Sequence, residues 1–153
     1  MGYTYKSKIV TRIELKNIIN KKRMDGKKIV FTNGCFDIIH RGHVYYMRES
    51  KKLGDILIVA INSDSSVKLL KGEGKPLHKE MNRAFVLEAF DFVDYIVIFD
   101  DINPLNLLNE IKPDVYTKGS DYNMNNLIGE EIGCEIIQSW GGEAILIDLQ
   151  DKN

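Results

Sequence analysis

Cysteine is scarce in this chain: Cys35 and Cys134 are the only two among 153 residues. That is too few for a disulfide framework and suits a reducing cytoplasm. No apolar run approaches the ~20 residues that a membrane-spanning helix needs. Met1-Gly2-Tyr3-Thr4-Tyr5-Lys6 lacks the apolar core of a signal peptide. The net charge is −1, so no general attraction to nucleic acid or to an anionic membrane is expected. Repeats, linkers and low-complexity tracts are absent. No G-x-G-x-x-G follows the first strand, which argues against a dehydrogenase-type dinucleotide fold. What remains is ordinary for a globular protein, with 44% hydrophobic and 28% charged residues. At this length the chain, residues 1–153, forms one domain able to bury about two-thirds of its unfolded surface.

Strand and helix patterns alternate along it. Thr11-Arg12-Ile13-Glu14 is a capping box that opens a helix over about residues 12–25, closed by Gly26. Lys28–Thr32 reads as strand one, and a helix follows from about Gly42 to Leu53. Ile56–Ile61 is apolar at every position, the mark of a strand covered on both faces in a parallel sheet. A short helix near Ser65–Leu70 leads into the loop Lys71-Gly72-Glu73-Gly74-Lys75-Pro76. Next come a helix from about Lys79 to Phe90 and the strand Tyr95–Phe99. Asn103-Pro104 starts a helix that ends near Ile111. Val115–Thr117 is a short strand running into the loop Lys118–Tyr122. A helical stretch up to Ser139, a Gly141-Gly142 turn and the strand Glu143–Leu149 complete the pattern. Such alternation predicts a doubly wound parallel sheet with right-handed crossovers, an α/β fold in three α/β/α layers.

Ligands in these folds bind beyond the carboxyl ends of the strands. Four polar clusters stand just there: Asn33–His43, Asn62-Ser63-Asp64, Asp100-Asp101 and Lys118–Tyr122. The first is the richest in chemistry, running Thr32-Asn33-Gly34-Cys35-Phe36-Asp37-Ile38-Ile39-His40-Arg41-Gly42-His43. Two histidines flanking a glycine at a helix entrance make a site for phosphate. The helix end offers N–H groups and partial positive charge, and the imidazoles add hydrogen bonds. Gly42, without a Cβ, lets a phosphate come near the backbone.

This H-x-G-H signature behind a G-x-F-D turn resembles the cytidylyltransferase-type nucleotidyltransferases. The fuller wording is most similar to bacterial heptose 1-phosphate adenylyltransferases, and the likeness runs from about Lys8 to Leu149. The resemblance implies a Rossmann-like nucleotidyltransferase fold. It also implies transfer of AMP from ATP to a heptose 1-phosphate, releasing pyrophosphate and giving ADP-heptose for surface-glycan synthesis. Mg²⁺ is expected to arrive with the triphosphate, and no protein metal ligand is assigned. A cytoplasmic homodimer is implied, with no nucleic-acid or membrane partner.

Site residues follow by the same resemblance. His40 and His43 contact the triphosphate and stabilise the transition state, and Lys71 reaches the phosphates of both substrates. Asn33, Gly34, Phe36, Gly42, Asn62, Asp64 and Arg83 fall on the nucleotide side. Phe36 reads equally well as a core aromatic, Ser63 or Asp64 as a helix cap and Arg83 as half of a salt bridge. Lys75 is balanced between phosphate contact and a plain surface lysine. Lys118-Gly119-Ser120-Asp121-Tyr122 resembles the lysine-glycine-glycine-aspartate-tyrosine segment of the heptose enzymes. That places Lys118, Gly119 and Asp121 at the sugar phosphate, with Ser120 replacing the second glycine. Asp37 is assigned there too, although an aspartate in a turn also orders it by binding backbone N–H groups. Cys35 reads as a small filler.

One family feature has no counterpart. A Ser-Thr-Thr segment follows the last strand in the family, whereas this sequence runs Asp148-Leu149-Gln150-Asp151-Lys152-Asn153. A site without that segment is expected to turn over weakly. Two other functions share much of the pattern. A same-fold cytidylyl- or guanylyltransferase or flavin-nucleotide synthetase would carry H-x-G-H, and a nucleotide-binding module of weak activity would fit the missing segment. Asn33-Gly34-Cys35 and the Lys118 loop favour the heptose enzyme over the first of these.

Overall fold

The computed structural model of the chain describes residues 2–119 and 134–148. The capping box forms as read: the Thr11 hydroxyl accepts from the Glu14 N–H at 3.1 Å, and the Glu14 carboxylate accepts from the Thr11 N–H at 3.2 Å. Helix α1 (Arg12–Met24) then buries Leu15 and Ile19. It is followed by β1 (Ile29–Gly34), α2 (Arg41–Lys51), β2 (Ile56–Asn62), α3 (Asp64–Lys71) and α4 (Glu80–Glu88). The chain continues with β3 (Tyr95–Phe99), α5 (Leu105–Ile111), β4 (Val115–Gly119) and β5 (Glu143–Ile147). Residues 134–139 are helical ahead of β5.

Two strands run past their expected ends because neighbours pair with the extra residues. Asn33 and Gly34 lie opposite Ala60 and Ile61 of β2. Lys118 and Gly119 lie opposite Leu146 and Ile147 of β5, so they belong to a strand rather than a loop. Helix α5 starts a residue later than read: Pro104 takes the cap position, and the Asn103 side chain accepts from the Leu105 N–H at 3.1 Å.

All strand pairs are parallel, in the order β3-β2-β1-β4-β5. The chain winds outward from β1 to β3, then returns to the other side of β1 and winds outward again. The direction reverses between β1 and β4, the position where such sheets open a crevice for ligands. Every residue of β2 is buried, as its unbroken apolar run requires. On one face α1, α5 and residues 134–139 bring Leu15, Ile19, Leu108 and Ile137 onto Ile29, Phe31 and Ile58. On the other, α2 and α4 bring Met47, Ala84 and Leu87 onto Val30, Leu57 and Val59. Each fully buried leucine or isoleucine contributes about 1.5–3 kcal/mol, which outweighs the short helices' own weak propensity. Gly54 lets the α2–β2 turn close on β1, since a Cβ there would sit 2.7 Å from Val30 Cγ2 and 2.9 Å from the Lys28 carbonyl oxygen. Among the described residues, no helix is long and apolar enough to cross a membrane.

Candidate active site

The carboxyl end of β1 leads into the histidine pair. His40 caps α2, and its Nδ1 accepts from the Gly42 N–H at 3.0 Å. His43, one turn in, uses its Nδ1 to accept from the His40 N–H at 3.3 Å. The two imidazoles therefore form a reciprocal cap in the manner of a Ser–Glu capping box. With both Nδ1 atoms accepting, the neutral rings carry their protons on Nε2. The two imidazoles lie 3.9 Å apart between centroids at an interplanar angle of 32°, and Phe36 meets His43 edge-on at 5.6 Å. The Gly42 N–H at the helix end is thus occupied by His40.

Phe36 holds this arrangement from below. Its backbone is in the left-handed region at φ 49°, which turns the ring back into the core. Gly34 is required beside it, because a Cβ there would lie 2.9 Å from the Phe36 ring. Of the two readings for Phe36, the core aromatic is what the packing displays.

Across the switch point, β4 supplies a second cluster. The Lys118 ammonium is buried and donates to the Asn33 carbonyl oxygen at 3.2 Å. The Tyr116 hydroxyl donates to Asn33 Oδ1 at 2.7 Å. Behind them the Thr117 carbonyl accepts from the Thr32 hydroxyl at 2.9 Å, and the Ser50 and Thr117 hydroxyls meet at 2.8 Å. Sequence reasoning passed over Tyr116, Ser50 and Thr117. The available signal was a tyrosine inside an apolar strand, whose hydroxyl must find a partner when buried. Asp121 and its neighbours Ser120 and Tyr122 lie outside the described residues. Gly119 ends β4, buried, opposite Ile147.

The β2 side is built differently. The Asn62 amide donates to the Ser66 hydroxyl at 2.9 Å, and Ser63 caps α3. The Arg83 side chain is 0% exposed, and its donors are spent on protein acceptors. Nε reaches the His78 carbonyl at 2.8 Å, and Nη1 reaches the Cys35 and Asn62 carbonyls, each at 2.7 Å. Nη2 pairs with Asp64 Oδ1 at 2.9 Å. The salt-bridge reading of Arg83 is the one its contacts express, and Asp64 enters as its partner. Asp37 binds backbone N–H groups, though not those of its own turn: its two carboxylate oxygens accept from Leu77 at 2.7 Å and His78 at 2.8 Å. Burial pushes the Asp37 carboxyl up, but these two bonds, with the charges of His78 and Arg83, outweigh it and hold the group below the usual carboxylate range.

Lys71 ends α3 and is exposed, as is Lys75 beyond it. Cys35 registers the convergence of these cations. Burial raises its thiol above the usual range, while Lys71, Arg83 and Lys118 all act to lower it and Asp37 adds to the rise. Three cations from α3, α4 and β4 thus lie within electrostatic reach of one atom at the end of β1. A cavity of about 150 Å³ opens beside Lys118, lined by Tyr116, Cys134, Ala144, Ile145 and Leu146. A larger groove of about 770 Å³ runs between α1 and the outer edge of β3, and none of the site residues line it. The histidine pair and the cation cluster, with the smaller cavity at its side, make the chemically equipped region.

Known proteins resemble this chain in sequence and shape. The cytidylyltransferase-like family matches residues 31–137. The bifunctional protein HldE of Syntrophotalea carbinolica is 43% identical over 147 residues, which are 96% of this chain and 29% of that protein. Its namesake in Campylobacter concisus is 49% identical over 88% of this chain and 28% of its own length. The chain therefore spans under a third of the length of these curated relatives. Among solved structures, a lipopolysaccharide core biosynthesis protein from Thermoplasma volcanium superposes with a TM-score of 0.66 at 28% identity, over 84% of this chain and all of that one. A pantoate–β-alanine ligase from Francisella tularensis shares the fold, with a TM-score of 0.68 at 19% identity over 94% of this chain and 67% of its own.

Proposed function

The chain belongs to the cytidylyltransferase-like family, and from that premise we propose that it is a nucleotidyltransferase which moves AMP from ATP onto a heptose 1-phosphate. The observation that carries this reading is the reciprocally capped histidine pair at the start of α2, behind the carboxyl end of β1. The choice of ATP and heptose rests on the resemblance of Asn33–His43 and Lys118–Gly119 to the heptose enzymes. The likeness to a lipopolysaccharide core biosynthesis protein supports a surface-glycan product. A cytoplasmic homodimer serving surface-glycan synthesis belongs to the same proposal.

The chemistry asks for positioning and charge stabilisation rather than a strong base. At pH 7 the sugar phosphate is already ionised, so one of its oxygens attacks the α-phosphorus directly. The new oxygen–phosphorus bond forms as the bond to the β-phosphate oxygen breaks, and that oxygen's electron pair leaves with pyrophosphate. His40 and His43 direct their Nε2–H donors at the triphosphate, where negative charge grows in the transition state. Lys118 is proposed to meet the sugar phosphate near Asn33, and Lys71 to bridge the phosphates of both substrates. Magnesium is taken as part of the substrate, MgATP. Reluctant to shed its water, Mg²⁺ is commonly held by substrate phosphates in such enzymes.

Phosphorus NMR of the chain with MgATP and heptose 1-phosphate tests the reaction class. Nucleotidyl transfer is expected to give pyrophosphate and a new sugar-linked diphosphate. Accumulation of ADP and a sugar bisphosphate would instead mean γ-phosphoryl transfer and would refute the proposal.

A further inference from the structure

We propose that Asp37 and Arg83 act as a clamp that positions two substrate-facing loops before any substrate binds. The inference deepens the nucleotidyltransferase reading and rests on it for its catalytic consequence. One loop, residues 35–40, leads from β1 to the histidine pair. The other, residues 72–79, leads from Lys71 to α4 and contains Lys75. His78 is gripped from both sides: its N–H donates to Asp37 at 2.8 Å, and its carbonyl accepts from Arg83 Nε at 2.8 Å. Leu77 adds a second N–H to the other Asp37 oxygen at 2.7 Å. Arg83 then closes the ring by donating to the carbonyl of Cys35, two residues before Asp37, at 2.7 Å. The circuit runs from Cys35 through Asp37, His78 and Arg83 back to Cys35, and it joins residues about forty apart in sequence.

Two further bonds anchor the circuit to the sheet. Arg83 holds the Asn62 carbonyl at the end of β2 and the Asp64 carboxylate at the start of α3. Asp64 and Glu80 in turn exchange bonds, each carboxylate accepting from the other's N–H, at 2.8 and 2.9 Å. Four acceptors around one enclosed guanidinium suit arginine alone, since lysine has no planar fork to match them. A charged carboxylate receiving two N–H groups is the stronger kind of hydrogen bond. Arg83, enclosed and donating to four protein acceptors, acts through the loops it holds, and Asp37 ties the second loop to the first through one N–H on each carboxylate oxygen. The benefit is preorganisation: the loop after Lys71 and the loop before the histidines are joined before substrate binds, so their ordering costs nothing on binding.

Amide hydrogen exchange on the substrate-free protein tests the clamp, with Asp37→Ala and Asp37→Asn beside the wild type. In Asp37→Ala, the Leu77 and His78 amides are expected to exchange about tenfold faster or more, while the β2 amides stay unchanged. Asp37→Asn keeps one acceptor oxygen, so only one of the two amides should lose protection. The catalytic consequence is read as kcat/KM for pyrophosphate release, expected to fall about tenfold in Asp37→Ala. Unchanged exchange at Leu77 and His78 would overturn the clamp even with activity lost, because Asp37 would then act on substrate directly. Faster exchange with kcat/KM intact would overturn the positioning role. If the wild type released no pyrophosphate, the functional reading would fail while the exchange result still decided the clamp.

Discussion

At the scale of single residues, the site depends on where each ring nitrogen and carbonyl is committed. His40 and His43 spend Nδ1 on backbone N–H groups, which orients Nε2 as the donor. Their bonds to phosphate should tighten as charge moves onto pyrophosphate, so they belong to the transition state more than to the ground state. His43→Ala and His40→Ala are each expected to lower kcat by roughly 10²-fold. Nucleotide affinity, measured by calorimetry, should change only severalfold. Equal losses in kcat and affinity would assign the histidines to plain binding. The place of the pair at the start of α2 was legible, because H-x-G-H follows an apolar strand pattern and opens a helical one. Arg83 was legible as half of a salt bridge and Asp37 as a binder of backbone N–H groups, but which groups they hold was not. Their partners are carbonyls and N–H groups of Cys35, Asn62, Leu77 and His78, and backbone positions carry no signature in a sequence.

At the scale of elements, periodicity and caps predicted nearly every boundary. Thr11 with Glu14 acts where it was expected to act, and Gly26 stands just past the C-cap of α1. Strand ends were less visible. Asn33-Gly34 and Lys118-Gly119 read as loop by residue type, yet pairing with β2 and β5 carries them into the sheet. The strand assignment also explains the burial of Lys118, whose ammonium stays beside Asn33 rather than in solvent. The junction between the β1–α2 and α3–α4 loops makes stability depend on pH. The folded Asp37 carboxyl lies below its usual range, so its contribution is complete above the unfolded value of about 3.9. It disappears as the pH falls through the lower folded value, when protonation removes the charge that holds Leu77 and His78. The difference in melting temperature between wild type and Asp37→Asn should therefore be constant near neutral pH. It should shrink only at pH values below the ordinary carboxylate range. A difference that shrank between pH 6 and 8 would point to a histidine instead.

At the scale of the whole molecule, the order β3-β2-β1-β4-β5 brings together groups far apart in the chain. The reversal between β1 and β4 sets Asn33, at the end of the strand that leads to His40 and His43, beside Lys118, while α3 and α4 after β2 carry Lys71 and Arg83. Strand–helix alternation was enough to predict the doubly wound sheet, and with it the edge where the clusters would meet. It could not tell which of them would touch: Asp101 turned out to bind Arg12 of α1 at 3.7 Å, away from the histidines. The central claim is that this constellation performs nucleotidyl transfer. Its most direct test is pyrophosphate release by the folded 153-residue chain, with Mg²⁺, heptose 1-phosphate and each of ATP, GTP and CTP in turn. Release that requires the sugar phosphate and occurs with ATP above the others is expected. Absence of release with every nucleotide, from protein shown to be folded and to bind ATP, would contradict it.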